Sequence, residues 1–503
     1  MRIKKVIINI IFATTNKIAA LLCGLIVPRL ILITFGSEYN GVINSATQFM
    51  SYITILTVGI AGPTRVALYK SLADNDRNRI GGIIKATNVY MRKVAIGILI
   101  YAIFIMIIFP YIAETSLDHM SVSTLIAIVA FSLFIEYFFT VTNHNLLIAD
   151  QKEYIFNISN TIGLILNCII TYILIIWGAD IIIVKTGSAI AFLIVPIIIS
   201  LYVRYKYPWL DRNNLLDTSA LKQRGAAAAT SIANIVHNST DLVILTFFED
   251  IKVASVYTVY NMVVSQIRSV LEVFTGSLEA GFGNIMARNE KEVLKRNFKI
   301  YEFLIFAFVS VIISCVFVLI IPFVVNYTNG ITDVNYIVPS FAFLMTLAEA
   351  TYCIRQPYVT LVQAAGKYKE TRNGAVIEAV LNIGLSVLLV YMVGFQGVVI
   401  GTIVANVFRS VQYCIYVYRN ILDLNIFKTI GKLVWCVSNN IIIFLAANVS
   451  ICILGLGDGW MNWIVRAVVT FVLAMIVTTV SSIIFYKEEL RGVKEIWHKV
   501  MEC

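Results

Sequence analysis

Residues 300–325 read IYEFLIFAFVSVIISCVFVLIIPFVV, an almost continuous apolar run. A hydrocarbon core about 30 Å thick is crossed by about 20 helical residues, so this run predicts a transmembrane helix. Similar runs recur along the whole chain between short polar gaps. Together they predict fourteen spans, at 6–35, 41–69, 94–113, 121–147, 154–178, 181–203, 222–247, 251–286, 300–325, 336–363, 373–393, 396–418, 432–455 and 460–486. The sequence therefore predicts an all-α polytopic membrane protein.

The composition agrees with this prediction and argues against a soluble enzyme. Hydrophobic residues make up 59% of the 503 residues and charged residues only 14%, whereas soluble domains contain about 25% charged residues. No polar gap is longer than about 25 residues, which is half of the shortest typical domain. A soluble catalytic domain therefore has no room, and we predict no enzyme activity and no catalytic residues.

The basic residues predict the orientation of the chain. Thirty of the 39 Lys and Arg residues lie at the two ends or in and beside alternate gaps, and only Lys185 and Lys252 lie beside the other gaps. Because basic residues accumulate in cytoplasmic loops, both termini are predicted to be cytoplasmic. The net charge of +10 belongs to these loops, and it therefore predicts no nucleic-acid partner.

Matching residues recur at a nearly fixed distance along the chain. Lys152 and Asn167 match Lys367 and Asn382 at an offset of 215 residues, and other pairs follow at offsets of 211 to 216. This register predicts a duplicated six-helix unit, an arrangement typical of two-lobed transporters that rock about a central site. The predicted parts are an N-terminal lobe, a cytoplasmic linker, a C-terminal lobe, and helices 13 and 14 with a tail, at 1–205, 206–221, 222–420 and 421–503.

Four stretches resemble one family of membrane proteins. Residues 28–41, which contain PRL and FGSEYNG, 59–65 (GIAGPTR), 367–382 and 394–402 are similar to bacterial polysaccharide transporters. These are Wzx-type flippases of the multidrug/oligosaccharidyl-lipid/polysaccharide exporter superfamily. The resemblance implies two six-helix lobes around a central cavity. It also implies alternating-access transfer of undecaprenyl-pyrophosphate-linked oligosaccharide from the inner to the outer leaflet.

The same resemblance implies a cellular setting. It predicts a monomer in a bacterial inner membrane that serves O-antigen or capsule export. Its partners would be the lipid-linked oligosaccharide, the bilayer, and the polysaccharide polymerase and export proteins. The two additional C-terminal helices are more similar to the lipid II flippases, where such a pair helps to form a groove for the lipid tail.

Intramembrane cations are the candidate substrate-binding residues. A pyrophosphate needs positive partners, and the arginine fork binds phosphate through two hydrogen bonds. A cation at the bilayer centre costs at least about 2.5–3.5 kcal/mol, so such residues usually face a cavity. Lys17, Arg268 and Arg409 lie well inside predicted spans. Arg29 and Arg65 lie nearer to span ends, where extension of the side chain to the interface is the alternative.

Two groups of residues have a structural alternative. Arg268 and Glu272 are four residues apart, and a pair within one helix is favoured over a substrate role for both. Asn234, His237 and Asp241 follow helical spacing and predict a polar face that binds either glycan or a cation, or that packs against another helix.

Pro28 is the candidate gating residue, since proline kinks a helix. Either the kink lets the first helix gate the cavity or it is static.

The energy source and the rival functions follow from what the sequence lacks. No G-x-x-x-x-G-K-[ST] motif occurs, so we predict no ATP site, no metal centre and no other cofactor. Transport would be driven by an ion gradient, with Na⁺ or H⁺ as the coupling ion, by the membrane potential, or by consumption of the flipped cargo outside. The main rival is a cation-coupled antiporter of drugs or organic cations from the same superfamily, which would need an acidic cavity. A membrane glycosyltransferase or polymerase is disfavoured by the short outside gaps.

Overall fold

The computed structural model describes residues 2–57, 60–210, 217, 235 and 239–501. Their regular elements are helical, and the β contact among them is an isolated bridge between Glu114 and Asp250. Ten of the helices are long and apolar enough to cross a membrane. The predicted all-α polytopic fold is confirmed.

The first half of the chain begins with a helix of 50 residues. A 3₁₀ turn at Tyr52–Thr57 follows it, and a π-helix at Glu136–Thr140 separates α4 from α5. The helices are α1 (Arg2–Ser51), α2 (Ala61–Ala73), α3 (Arg77–Ile112), α4 (His119–Ile135), α5 (Val141–Ala149), α6 (Tyr154–Ile176), α7 (Ile181–Phe192), α8 (Ile194–Lys206) and α9 (Ser239–Phe248).

The second half contains longer and more regular helices. A π-helix at Val417–Leu422 extends α14. The helices are α10 (Ile251–Ala287), α11 (Lys291–Tyr327), α12 (Pro339–Ala364), α13 (Tyr368–Val393), α14 (Gln396–Tyr416), α15 (Phe427–Ile453), α16 (Trp460–Phe485) and α17 (Lys487–Met501). The last of these lies in the predicted tail, where no helix was expected.

The first predicted span and the start of the second meet at a kink within α1, with no loop between them. The second predicted span is then interrupted by the 3₁₀ turn at Tyr52–Thr57, before α2. The predicted gap at 36–40 is reduced to a break at Gly36, where φ is 86° and ψ is 177°. Residues with a side chain rarely adopt this conformation, so glycine is needed there. The Ser37 N–H and hydroxyl donate to the Asp333 carboxylate at 2.8 and 2.6 Å, which anchors the chain at the break.

The structure divides into two compact units. The first unit is Met1–Thr258 with Gly330–Val334, and the second unit is Val259–Asn329 with Asn335–Cys503. The boundary between them lies within α10. The six-helix lobes at 1–205 and 222–420 stay a prediction.

Each unit has its own apolar core. In the first unit, Met50, Ile98 and Tyr137 belong to one buried cluster, and Leu68 and Leu146 belong to another. The outward surface is apolar as well, because Ile96, Ile100, Ile103 and Ile107 of α3 are exposed at helical spacing. A stripe of this kind is what a lipid-facing helix requires.

The core of the second unit is aromatic. Phe298, Phe306, Tyr358 and Trp435 are buried together. The predicted additional helices α15 and α16 pack against α11, and α17 packs against α11 and α16. The second unit is thus a bundle that includes the C-terminal helices.

Candidate functional site

Lys17 lies on α1 of the first unit, and its side chain is exposed. No hydrogen bond or ion pair joins its ammonium group to any other residue that the structure describes. The rotation of α1 around this residue is fixed by its neighbour Asn16. The Asn16 amide accepts from Asn160 at 3.1 Å and from Thr161 at 3.3 Å, and it donates to Asn157 at 3.4 Å. Since these partners all lie on α6, α1 presents its Asn16 face to α6.

Arg29 and Arg65 are half-buried. Both interact with other groups of the protein, and His144 is an electrostatic neighbour of Arg65. The structure therefore places these two predicted cations among protein groups, in contrast to the exposed Lys17. Their substrate role stays a prediction.

Arg409 lies in a buried charge cluster of the second unit. Its Nε lies 3.3 Å from the Glu378 carboxylate, and the other Glu378 oxygen accepts from Arg355. Arg409 also donates to the Thr371 carbonyl at 2.8 Å and to the Tyr413 hydroxyl at 2.7 Å. Two arginines thus share one carboxylate where α12, α13 and α14 meet.

Arg268 forms its ion pair with Glu349 on another helix, whereas the spacing favoured Glu272 on its own helix. Its guanidinium lies 3.0 Å from Glu349 of α12, while Glu272 accepts from the Tyr352 hydroxyl at 3.4 Å. The Tyr352 ring also contacts both Arg268, at 4.0 Å, and Arg355, at 4.7 Å. Tyr352 therefore joins the two ion-pair groups into a network that spans α10, α12, α13 and α14.

A second buried charge centre was missed by the sequence reasoning. Glu302 of α11 is fully buried and accepts from Lys432 at 2.7 Å, Tyr358 at 2.7 Å, Thr429 at 2.9 Å and Tyr418 at 2.9 Å. Lys432 is one of the thirty basic residues that the sequence analysis assigned to the chain ends and alternate gaps. The sequence feature that could have indicated this centre is Glu302 itself, a lone carboxylate near the start of the apolar run 300–325. The centre joins α15 to the rest of the second unit.

The predicted polar face of the seventh span is described only in part. Asn234 and His237 lie outside the described residues. Asp241 is buried and accepts from the Tyr257 hydroxyl at 3.3 Å. Pro28 lies inside α1, eight residues before the break at Gly36. Binding by these polar residues and gating at Pro28 stay predictions.

Comparisons with known proteins support the fold and leave the specificity open. No family model matches the chain, and a comparison with curated proteins found no significant match. Solved structures do match it. Lipid II flippase MurJ, in an inward closed conformation, is 15% identical with a TM-score of 0.66, over 96% of this chain and 100% of that chain.

Multidrug transporters share the same fold. An inward-facing MATE family multidrug resistance transporter of the MOP superfamily is 13% identical, with a TM-score of 0.59 over 81% of this chain and 97% of that chain. The eukaryotic MATE transporter AtDTX14 is 14% identical, with a TM-score of 0.52 over 81% and 96% of the two chains. At these identities the likeness establishes the fold alone. This chain has the fold that these MATE transporters and MurJ share.

Proposed function

We propose that this protein is a flippase for undecaprenyl-pyrophosphate-linked oligosaccharide, which it moves from the inner to the outer leaflet by alternating access. The observation that carries the proposal is the extent of the structural likeness. The likeness to lipid II flippase covers 96% of this chain, whereas the inward-facing MATE structure covers 81%. The parts of this chain that the MATE structure does not match therefore have counterparts in a protein whose cargo is a lipid.

Three buried acids of the second unit argue against a cation antiporter. Such a protein needs carboxylates that are available to a cationic substrate. Glu349 is held by Arg268, Glu378 by two arginines and Glu302 by Lys432. Buried carboxylates that are already paired have their charge compensated, so they attract little further cation.

The cations of the first unit favour an anionic cargo. A pyrophosphate that crosses a hydrocarbon layer needs positive groups along its route. Lys17 is exposed and has no described partner, so its ammonium group is available to a ligand. Arg29 and Arg65 would supply further positive charge in the same unit.

The proposal includes an orientation and an energy source. Both termini would lie in the cytoplasm of a bacterium, with the chain in the inner membrane. Labelling of cysteines placed at Asp118, Asn329 and Asp458 should occur from outside. Labelling of any of them from the cytoplasm alone would contradict this orientation. A Na⁺ or H⁺ gradient, or the membrane potential, would drive transport, and a polysaccharide polymerase would receive the product.

The experiment that tests the function compares the two cargo classes directly. The full-length protein is reconstituted into liposomes with a fluorescent undecaprenyl-pyrophosphate oligosaccharide, and an impermeant glycosidase reports its appearance in the other leaflet. A parallel sample measures movement of a fluorescent organic cation under a Na⁺ or H⁺ gradient. We expect glycolipid transfer above protein-free liposomes and no cation movement. Cation movement without glycolipid transfer would assign the antiporter function instead.

A further inference from the structure

Two irregular helices of the first unit lie side by side and leave a groove between them. The fourth span changes into a π-helix at Glu136–Thr140, and the sixth span breaks between α7 and α8, just before Pro196. A π-turn widens a helix, and a proline removes a backbone hydrogen bond and bends the chain. Neither surface is therefore a regular ridge that could close against the other.

The groove is apolar along most of its length. Its cavity of about 360 Å³ is lined by large apolar side chains, with Ser200 and Arg204 at one end. The apolar lining residues are Ile135, Phe139, Leu193, Pro196, Ile197 and Leu201. This apolar part suits a hydrocarbon chain, because its side chains offer no hydrogen-bond partner to a polar group.

A basic cavity adjoins this groove. It has a volume of about 490 Å³ and shares Phe139, Ser200 and Arg204 with the apolar part. Lys85 and Arg92 of α3 also line it, and no described residue of its lining is acidic. Three cations around one cavity without a carboxylate are complementary to a multiply charged anion.

Two polar details indicate that the basic cavity is built to hold a ligand. Thr142 lines the cavity, is buried, and its hydroxyl has no hydrogen-bond partner among the described residues. Tyr207, also in the lining, donates to Asp150 at 2.6 Å. Asp150 is in turn paired with Lys152 at 2.5 Å, so its negative charge is compensated. Burial raises the pKa of the Tyr207 hydroxyl, which therefore stays protonated.

The opposite end of the groove has a carboxyl group and no described cation in its lining. A third cavity of about 290 Å³ shares Ile135, Leu193 and Pro196 with the apolar part, and Glu136 lies in its lining. Glu136 has no described hydrogen-bond or ion-pair partner. A ligand with an anionic head and an apolar chain would enter this groove with its head at the basic end.

We propose that this groove is the docking site for the lipid-linked substrate before transport. The pyrophosphate binds Lys85, Arg92 and Arg204, and the first isoprenoid units lie along Phe139 and Ile197. This inference rests on the proposed function, because it takes its ligand from there. One apolar channel beside one basic cavity fits a lipid with a single chain and a highly charged head. The basic end lies at the predicted cytoplasmic ends of α3 and α8, where such a substrate is made available.

Photolabelling of the unmodified protein locates the ligand directly. The probe is a polyprenyl pyrophosphate that carries a diazirine in its first isoprenoid units, added to the full-length protein in nanodiscs. We expect the crosslink within residues 135–139 or 193–201. Labelling confined to α15 and α16, or labelling that is spread evenly over the exposed apolar surface, would overturn the proposal.

Substitutions at the two ends of the groove test its role in binding. The double variant Arg92→Gln with Arg204→Gln should raise the Kd of the probe at least about tenfold, because each arginine contributes charge-assisted hydrogen bonds to the phosphates. Ile197→Trp should fill the apolar channel and also weaken binding. Lys206→Gln is the matched control, since Lys206 is an exposed cation on the same helix that does not line the groove. An equal loss in the control, or no loss in the first two variants, would contradict the proposal.

Competition separates this ligand from other phosphates. Undecaprenyl pyrophosphate should displace the probe, while inorganic pyrophosphate and phosphatidylglycerol should be at least about tenfold weaker. Equal displacement by inorganic pyrophosphate would mean a free-anion site, and equal displacement by phosphatidylglycerol would mean a general lipid site. Either result overturns the proposal.

Transport measurements on the same variants distinguish a failure of the proposed docking site from a failure of the proposed function. If the wild type transfers the glycolipid and the groove variants do so with unchanged KM, the docking site is wrong and the proposed function stands. If the wild type binds the probe in the groove and transfers no glycolipid, the proposed function fails and the lipid site remains.

Discussion

The buried charge cluster of the second unit and Lys17 of the first unit differ in how their intramembrane charges are compensated. In the second unit, Arg355, Arg409 and Glu378 are buried against one another. In the first unit, Lys17 is exposed and has no described partner. A cation that is held by a carboxylate contributes to the packing of its bundle, whereas an unpaired exposed cation contributes little to stability. The difference teaches that the cost of an intramembrane charge is met by protein partners in the second-unit cluster, whereas Lys17 has no such partner among the described residues.

Removal of Glu378 should have the largest effect on stability. Glu378→Ala leaves two buried arginines without their carboxylate, and the loss of one partner of a buried ion pair costs about 3–5 kcal/mol. We expect low yield and a strongly lowered Tm in detergent. Glu272→Ala, which removes an exposed carboxylate of the same network, should change Tm little. Equal Tm values for the two variants would contradict the stabilising role of Glu378 in the buried cluster.

The Glu302 centre should show the same dependence on pairing. Glu302→Gln leaves Lys432 buried without its counter-charge, so we expect the free energy of unfolding to fall by about 3–5 kcal/mol. Adding Lys432→Met to it should recover part of the loss, because the unpaired charge is then gone. Additive losses in a double-mutant cycle, measured by thermal unfolding, would show that the two side chains do not form a functional pair.

Gly36 tests the break in α1. Gly36→Ala places a side chain at φ 86°, and its Cβ would lie 3.2 Å from Asp333 Oδ2, so we expect a loss of about 1–3 kcal/mol. Gly24→Ala on the same helix meets nothing within 4 Å and should be neutral or stabilising by about 0.5–1 kcal/mol. A stabilising Gly36→Ala would mean that the helix is continuous at this point.

The sequence predicted the helices well because each span is a local signal. The run at 300–325 lies inside α11. The repeat partners Asn167 and Asn382 lie in α6 and α13, and Lys152 and Lys367 lie just before those helices. The gap predicted at 36–40 is only a kink at Gly36, because residues 37–40 interrupt the hydropathy while they stay helical. The helix at Lys487–Met501 was not predicted, because a charged tail has no apolar run.

The charge partners could not be predicted from spacing. Glu302 and Lys432 are 130 residues apart in the chain, and only the packing of α11 against α15 brings them together. The same is true of Arg268, whose partner Glu349 lies on another helix, although Glu272 satisfied the local rule. The groove beside Phe139 depends on two helix irregularities that apolar composition does not reveal.

Transport by Lys17 variants tests the central claim, that an unpaired cation of the first unit handles an anionic lipid cargo. In the liposome assay with the fluorescent glycolipid, Lys17→Ala should abolish transfer. Its free energy of unfolding should stay within about 0.5 kcal/mol of the wild-type value. Lys17→Arg should retain part of the activity, because the charge is kept and the geometry changes. Lys206→Ala, another exposed lysine of the first unit, should transfer normally. Full transfer by Lys17→Ala at matched reconstitution would contradict the account.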